Sequence, residues 1–404
     1  MRSLKKTGAL LLSALMLTCI TGCNGKDASS AGEPEKPADN TPFGKYVSNT
    51  FIATGNNQSV SAADGVTYRA FLPVEAYGEF EYCFYFSNTV DSTWNDGKHS
   101  YVGKQGSEYK ITAASVAVAT QYEATSAVSN ETAVTFDGNA TKTVAPGETF
   151  WSDPLTFTVP EGSYLVWTWT VQGEDLPAIA MSELAPTYYN NGSGFIYNNT
   201  IPLPQLIGCN RPVKKRIVTL GDSITQGCQT TQYGNAFWAA NIAKELGTDY
   251  SLWNLGLGHA RASDCAANGD WLQRAAHADI VIVAFGTNDM VSGQYGVGSP
   301  NAASSIVSWI QYITATLQNA GCQVIVFNAP PFDYRELQEG IRTELNTLLP
   351  DAVAQWGANY FDFASLLSDP SAPAKALYGG HPNDEGCKIV SDAFLAQYKE
   401  LITQ

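Results

Sequence analysis

Three short polar stretches, far apart along the chain, carry side chains that could act on one another. Leu220-Gly221-Asp222-Ser223-Ile224-Thr225-Gln226-Gly227 offers a hydroxyl. Phe285-Gly286-Thr287-Asn288-Asp289 offers an amide, and Tyr378-Gly379-Gly380-His381-Pro382-Asn383-Asp384 an imidazole. A serine hydroxyl attacks a carbonyl only when a base takes its proton, and the oxyanion then formed needs hydrogen-bond donors. Serine, imidazole and amide are therefore a sufficient set for acyl transfer. Of the four histidines, His99 lies in the first half, while His259, His277 and His381 lie in the second.

Such groups meet only if folding brings them to one edge. Arg216-Ile217-Val218-Thr219-Leu220, Leu252-Trp253-Asn254-Leu255, Ile280-Val281-Ile282-Val283-Ala284-Phe285 and Val324-Ile325-Val326-Phe327 are short apolar runs of the buried-strand type. Helical patterns separate them. In one, Ile306, Trp309, Ile310, Ile313 and Leu317 mark a single apolar face before Gly321 stops the helix. Alternating strands and helices predict a parallel sheet wrapped by helices, with reactive groups at the carboxyl ends of its strands. The first two stretches follow such strands directly, and His381 falls just before the last helix.

The first half reads differently. Glu81-Tyr82-Cys83-Phe84-Tyr85-Phe86 and Ser163-Tyr164-Leu165-Val166-Trp167-Thr168-Trp169-Thr170-Val171 are aromatic and β-branched runs, punctuated by turns such as Asp137-Gly138-Asn139 and Ala145-Pro146-Gly147. Helical periods are missing, so an all-β, sandwich-like domain is expected over residues 43–210, ahead of an α/β domain over 211–404. Alternating aromatics in a sandwich belong to its core, although exposed ones could stack on sugar rings.

The three blocks, in this order and spacing, resemble those of the SGNH (GDSL-type) hydrolases across about 190 residues. Gly221-Asp222-Ser223-Ile224-Thr225 matches the nucleophile block, Gly286-Thr287-Asn288-Asp289 the asparagine block, and His381-Pro382-Asn383 the histidine block. The resemblance implies a flavodoxin-like α/β fold and hydrolysis of esters. Ser223 would attack, His381 would move the proton, and Asn288 with the Ser223 N–H would face the oxyanion. The first half is also similar to a domain that precedes the catalytic half in secreted bacterial members. Phe86-Ser87-Asn88, Ile111-Thr112-Ala113-Ala114-Ser115-Val116-Ala117 and Trp151-Ser152-Asp153-Pro154-Leu155 carry that likeness.

Two positions depart from the pattern. The family usually has an aspartate three residues before the histidine, where this chain has Tyr378. Either Asp384, Asp362 or a backbone carbonyl orients His381, or Ser223 and His381 work as a dyad. In Asn254-Leu255-Gly256-Leu257-Gly258-His259, a donor glycine commonly stands five residues after the asparagine, where this chain has His259. Gly258 and His259 are thus joint candidates for a further oxyanion donor, and His259 could also touch substrate.

Composition bounds the rest. Apolar residues make up 44% and charged residues 15%, as in a packed globular protein, and the net charge is −15. That charge excludes nucleic acid and anionic lipid as partners and suits neutral substrates. Arg2, Lys5 and Lys6 precede an apolar stretch from Gly8 to Ile20, which is shorter than the about 20 residues a spanning helix needs. Residues 1–22 therefore read as an export signal. Ile20-Thr21-Gly22-Cys23 resembles the lipobox of bacterial lipoproteins, which implies lipidation of Cys23. Residues 23–42, rich in Ser, Pro, Glu and Ala, would be a flexible tether. The expected location is the surface of a bacterial cell, with that lipid as the only tie to the membrane.

Export permits disulfides among Cys83, Cys209, Cys228, Cys265, Cys322 and Cys387, a bridge from Cys228 to Cys265 among them. No cofactor and no metal are called for, and C-x-x-C spacing is absent. The substrate expected is an acylated polysaccharide or a small ester, with acetyl the foremost acyl group. The rivals are an acyltransferase using the same serine, and a surface carbohydrate-binding lipoprotein whose hydrolase domain has degenerated.

Overall fold

The computed structural model describes residues 36, 38–93, 101–181, 183–267, 269–291 and 299–404. The export signal, Cys23, most of the tether and His99 lie outside the described residues.

The first half forms two facing antiparallel sheets. Five-stranded and smaller, one runs Val47–Ser48, Leu206–Cys209, Gly78–Ser87, Leu155–Val159, with Thr149–Trp151 also paired to Gly78–Ser87. The eight-stranded one is built around Gln58–Leu72, Tyr164–Ala180 and Tyr109–Ala119. Period-two alternation decides what each face meets. Leu165, Trp167, Trp169 and Val171 point inward, each at most 2% exposed. They meet Phe84 and Phe86 of the opposite sheet, with ring centroids of Phe84 and Trp167 4.8 Å apart. These aromatics are core, as alternation predicts.

The second half is a five-stranded parallel sheet: β1 (Lys215–Gly221), β2 (Tyr250–Gly256), β3 (Ile280–Ala284), β4 (Gln323–Phe327) and β5 (Asn359–Phe361). The spatial order is β2-β1-β3-β4-β5. Its helices are α1 (Ser223–Gln226), α2 (Trp238–Leu246), α3 (Ala262–Ala266), α4 (Asp270–Ala275), α5 (Thr287–Val291), α6 (Ala303–Asn319), α7 (Glu336–Gln355), α8 (Phe363–Leu367) and α9 (Asp384–Thr403). Ile217, Leu252, Ile280 and Ile325 share one core with α2 and α9. Val218, Leu255, Val283 and Val326 share the other with α4, α6 and α7. On α6, Ile306, Ile310, Ile313 and Leu317 are fully buried, and Gly321 follows with φ +82°.

The two halves do not hang on a linker; Lys36–Gln404 is one compact unit. The outward face of Gly78–Ser87 carries Tyr85, whose hydroxyl donates to Asp270 of α4 at 3.1 Å. Strand β2 is the sheet's edge, and its open backbone groups are taken by the β half: Leu252 N–H donates to Glu75 at 3.4 Å, and Asn254 C=O accepts from Thr54 N–H at 3.4 Å. Trp253 Nε1 donates to Thr54 Oγ1 at 3.1 Å and to Gln205 C=O at 2.9 Å. Two ion pairs are buried in the seam, Arg211 with Glu75 and Arg274 with Asp91, the latter at 2.6 Å. Arg211 also donates to the Thr248 and Tyr250 carbonyls. All six cysteines among the described residues are free, Cys228 and Cys265 included.

Removing one partner of a buried pair strands the other, at about 3–5 kcal/mol. Arg211→Met is therefore expected to lower unfolding stability by that order in denaturant titration. Lys214→Met, which breaks an exposed pair with Asp249, should leave the unfolding midpoint nearly unchanged.

Candidate active site

Strand β1 runs directly into the segment that carries Ser223. Its last residue, Gly221, has no room for a side chain: a Cβ there would stand 2.2 Å from Thr225 Oγ1 and 2.6 Å from the Ala284 carbonyl. Asp222 caps α1 by accepting the Ile224 N–H at 2.9 Å, which makes Ser223 the first helical residue. The short helix ends at Gly227, whose φ is +111°. It lies hard against the end of β2, where a Cβ on Gly256 would meet the Gln226 nitrogen at 2.4 Å. Asn254 fastens the two together. It donates to the Thr225 carbonyl at 3.0 Å and accepts from the Gly256 N–H at 2.8 Å.

His381 arrives from the other end of the chain. Its Nε2 lies 2.8 Å from Ser223 Oγ, a contact between residues 158 apart in sequence. The edge of Phe332 packs on the ring with centroids 5.1 Å apart at 75°. Gly380 makes space for that phenyl, since a Cβ there would come within 2.9 Å of it. Just past the base, Asn383 caps α9 by accepting from the Gly386 N–H at 3.0 Å.

Neither candidate carboxylate reaches this imidazole. Asp384 accepts from the N–H and hydroxyl of Thr231 at 2.7 and 2.5 Å. Asp362 accepts from Asn328 at 2.8 Å and caps α8 through the Ser365 N–H at 3.2 Å. Tyr378 backs onto Gly386, and its carbonyl accepts from the Asn383 N–H at 3.1 Å. Among the described residues nothing hydrogen-bonds Nδ1 of His381, backbone carbonyls included. The geometry is that of a Ser–His dyad with an aromatic prop. Burial, and after it the charge of nearby His259, press the His381 pKa down from its ordinary 6.5 to about 4, so the ring is neutral and able to accept a proton at pH 7.

The amide sits at the end of β3. Gly286, at φ +131°, turns the chain into α5. Asn288 there is 6% exposed and donates to the Ala260 carbonyl at 3.0 Å. Its neighbour Asp289 accepts from the Ala262 and Ser263 N–H groups at 2.8 and 3.4 Å, capping α3 from outside. Asn288 and Asp289 thus hold the 258–263 turn to the sheet edge. Burial raises the carboxyl pKa values of Asp222 and Asp289 to about 7, aided by their own proximity in the first case and by Asp264 in the second.

The turn separates the two joint candidates. The Gly258 N–H is taken, donating to Gln226 Oε1 at 2.6 Å, so as an oxyanion donor it is already spent. His259 stands exposed at the rim with φ +68°, the left-handed region that favours glycine. Sequence reasoning passed over Gln226, Phe332 and the clamp made by Asp289. The polar cluster around Ser223 hinted at Gln226, but nothing in the sequence pointed to Phe332.

Residues 219–389 match the family model of GDSL-like lipases and acylhydrolases. No curated protein matches the chain. Among solved structures, a lipolytic protein of the G-D-S-L family from Veillonella parvula is similar at 17% identity, with 46% of this chain and 98% of that one covered and a TM-score of 0.36. The aryl esterase of M. smegmatis is similar at 18% identity, covering 46% and 99%, with a TM-score of 0.37. An acetylxylan esterase from Geobacillus stearothermophilus is similar at 14% identity, covering 46% and 95%, with a TM-score of 0.38.

Expectations follow for the base and for the turn beside it. Where an acid orients the base, disabling it costs about 10⁴ in turnover; here Asp384→Asn and Tyr378→Phe should each leave kcat within about tenfold of wild type in ester hydrolysis. Because the base must be neutral, kcat/KM should fall only as pH drops through about 4. His259→Gly removes the lesser of the two influences on His381, so a pH–rate profile should show that limb moving up slightly while burial keeps it below 6.5.

Proposed function

We propose that the chain is a serine esterase which hydrolyses carboxylic esters through an acyl-enzyme at Ser223. The observation that carries this reading is the 2.8 Å contact between Ser223 Oγ and a neutral His381, with Asn288 at the neighbouring strand end. His381 takes the hydroxyl proton as Ser223 attacks and returns it to the leaving alcohol; a water then repeats the sequence in reverse. The oxyanion is met by the Asn288 amide and by the N–H groups of Ser223 and His259. The match of residues 219–389 to an acylhydrolase family supports the same chemistry. The strand order β2-β1-β3-β4-β5 is that of flavodoxin-like sheets, whose sites lie at the carboxyl ends of the strands.

The acyl group is short, acetyl above all. The segment after the nucleophile, Cys228-Gln229-Thr230-Thr231-Gln232-Tyr233-Gly234-Asn235, is polar, and its Thr231 is tied down by Asp384. It supplies no apolar cover for a long chain. A net charge of −15 favours a neutral substrate such as an acylated polysaccharide. An export signal and a lipid on Cys23 would place the enzyme at a bacterial cell surface, where such polymers are met.

A second reading, a surface carbohydrate-binding lipoprotein with a silent hydrolase domain, draws on Tyr378 and the missing partner of Nδ1. A fluorophosphonate probe separates the two, since covalent labelling of Ser223 requires an activated nucleophile. The esterase reading predicts rapid release of p-nitrophenol from its acetate ester, a decline with acyl length, and loss of at least about 10³-fold in kcat with Ser223→Ala. Preference for long acyl chains would defeat the short-acyl assignment.

A further inference from the structure

The nucleophile's helix ends in a buried side chain that belongs to neither half alone. Gln226 is 2% exposed, and each end of its amide is used. Oε1 accepts from the Gly258 N–H at 2.6 Å, on the turn that carries His259. Nε2 donates at 2.8 Å to the carbonyl of Ala180, the last residue of the long β-half strand Tyr164–Ala180. The far side of Ala180 is held as well. Its N–H donates to Asn57 Oδ1 at 3.0 Å, and the Asn57 N–H donates to the Ala178 carbonyl at 2.9 Å.

The turn is also propped sterically from the β half. A Cβ on Gly258 would stand 3.0 Å from Asn57 Nδ2 and from Gln226 Oε1 alike. Gly55 lies so close to Leu257 that a Cβ there would meet its Cδ2 at 2.4 Å. One more tie comes from the same region, the Tyr233 N–H donating to the Glu183 carbonyl at 2.7 Å.

We infer that Gln226 is a positioning residue through which the β half sets the oxyanion turn, so that the β domain is a working part of the esterase site. An amide suits this place because it accepts and donates at once, in one plane and with no charge to desolvate. With both bonds made, the Gly258 N–H is withdrawn from the reaction and the turn is held in one place against α1. Losing the bridge would let the turn drift. A misplacement of about 1 Å costs about 10²-fold in rate, and ground-state binding would be little affected.

This inference rests on the esterase reading, and the test keeps the two apart. Full-length wild type, Gln226→Met, Gln226→Glu and Asn57→Ala are compared on p-nitrophenyl acetate for kcat and KM, with fluorophosphonate labelling of Ser223 and thermal unfolding alongside. Gln226→Met keeps the shape and loses both bonds, so kcat should fall about 10²-fold with KM within a few-fold. Asn57→Ala acts from the other domain and should lower kcat in the same direction, by about tenfold. Gln226→Glu restores acceptor and donor only when its carboxyl is protonated. Its neighbours are Cys228, whose Sγ lies 4.0 Å from Oε1, with Glu183 and Asp222 beyond it and His259 on the turn. Its activity relative to wild type should therefore rise from pH 8 to pH 5, which a simple loss of stability would not produce.

If Gln226→Met does not fold, the other two variants decide. Wild-type kcat in Asn57→Ala together with a flat ratio in Gln226→Glu would overturn the bridge and leave the esterase intact. A wild type that neither hydrolyses the ester nor takes the label would remove the parent reading, and the bridge with it.

Discussion

The contact between Ser223 Oγ and His381 Nε2 sets the terms for the rest of the molecule. A hydroxyl and an imidazole must stay 2.8 Å apart although they belong to the short helix after the first strand and to the approach to the last helix of the α/β half. Neither side chain can hold that distance by itself. On the serine side the constraint is backbone against backbone, because Gly221 and Gly256 let α1 press on the strand ends with no Cβ between them. On the histidine side it is a turn through Gly379 and Gly380, a phenyl edge and a capped helix.

What is absent from this pair is a carboxylate, and electrostatics changes accordingly. In a triad the acid stabilises the imidazolium and raises its pKa. Here burial dominates and His259 adds repulsion, so the neutral ring is favoured and the dyad is primed to accept a proton over a wide range of pH. The cost falls on the charged state that follows, which has no partner at Nδ1 among the described residues. Acidic side chains are close by, but they are engaged elsewhere. Asp384 fixes the loop after the nucleophile, while Asp222 and Asp289 serve as helix caps, with burial holding their pKa values near neutrality.

The β half enters through the edge of the parallel sheet. An edge strand leaves backbone groups unpaired, and Thr54, Glu75 and Arg211 meet those of β2. This gives the seam its depth, with two ion pairs out of solvent and Trp253 bonded across it. It also puts the β half beside Leu257 and Gly258, since these lie one step beyond β2. Covering an edge and propping the turn at Gly258 are here the same act of packing.

Much of this was legible from residue order. Buried-strand runs at 216–220, 252–255, 280–285 and 324–327 do form adjacent parallel strands, because unbroken apolar runs of that length are stable only when both faces are covered. The alternating aromatics of the first half pack inward, as a two-faced sheet demands. Strand β5 escaped notice, for Asn359–Phe361 is three residues long and carries almost no pattern. Local chemistry fixed which groups could react: a hydroxyl, an amide and an imidazole at element ends. Only the tertiary structure decided which of them meet, and which acids do not. Hydrogen bonds at Asp384, Asp362, Gly258 and Gln226 join residues from 32 to 153 positions apart. Such pairings depend on how sheet edges and loops stack in space, and no periodicity along a chain encodes them.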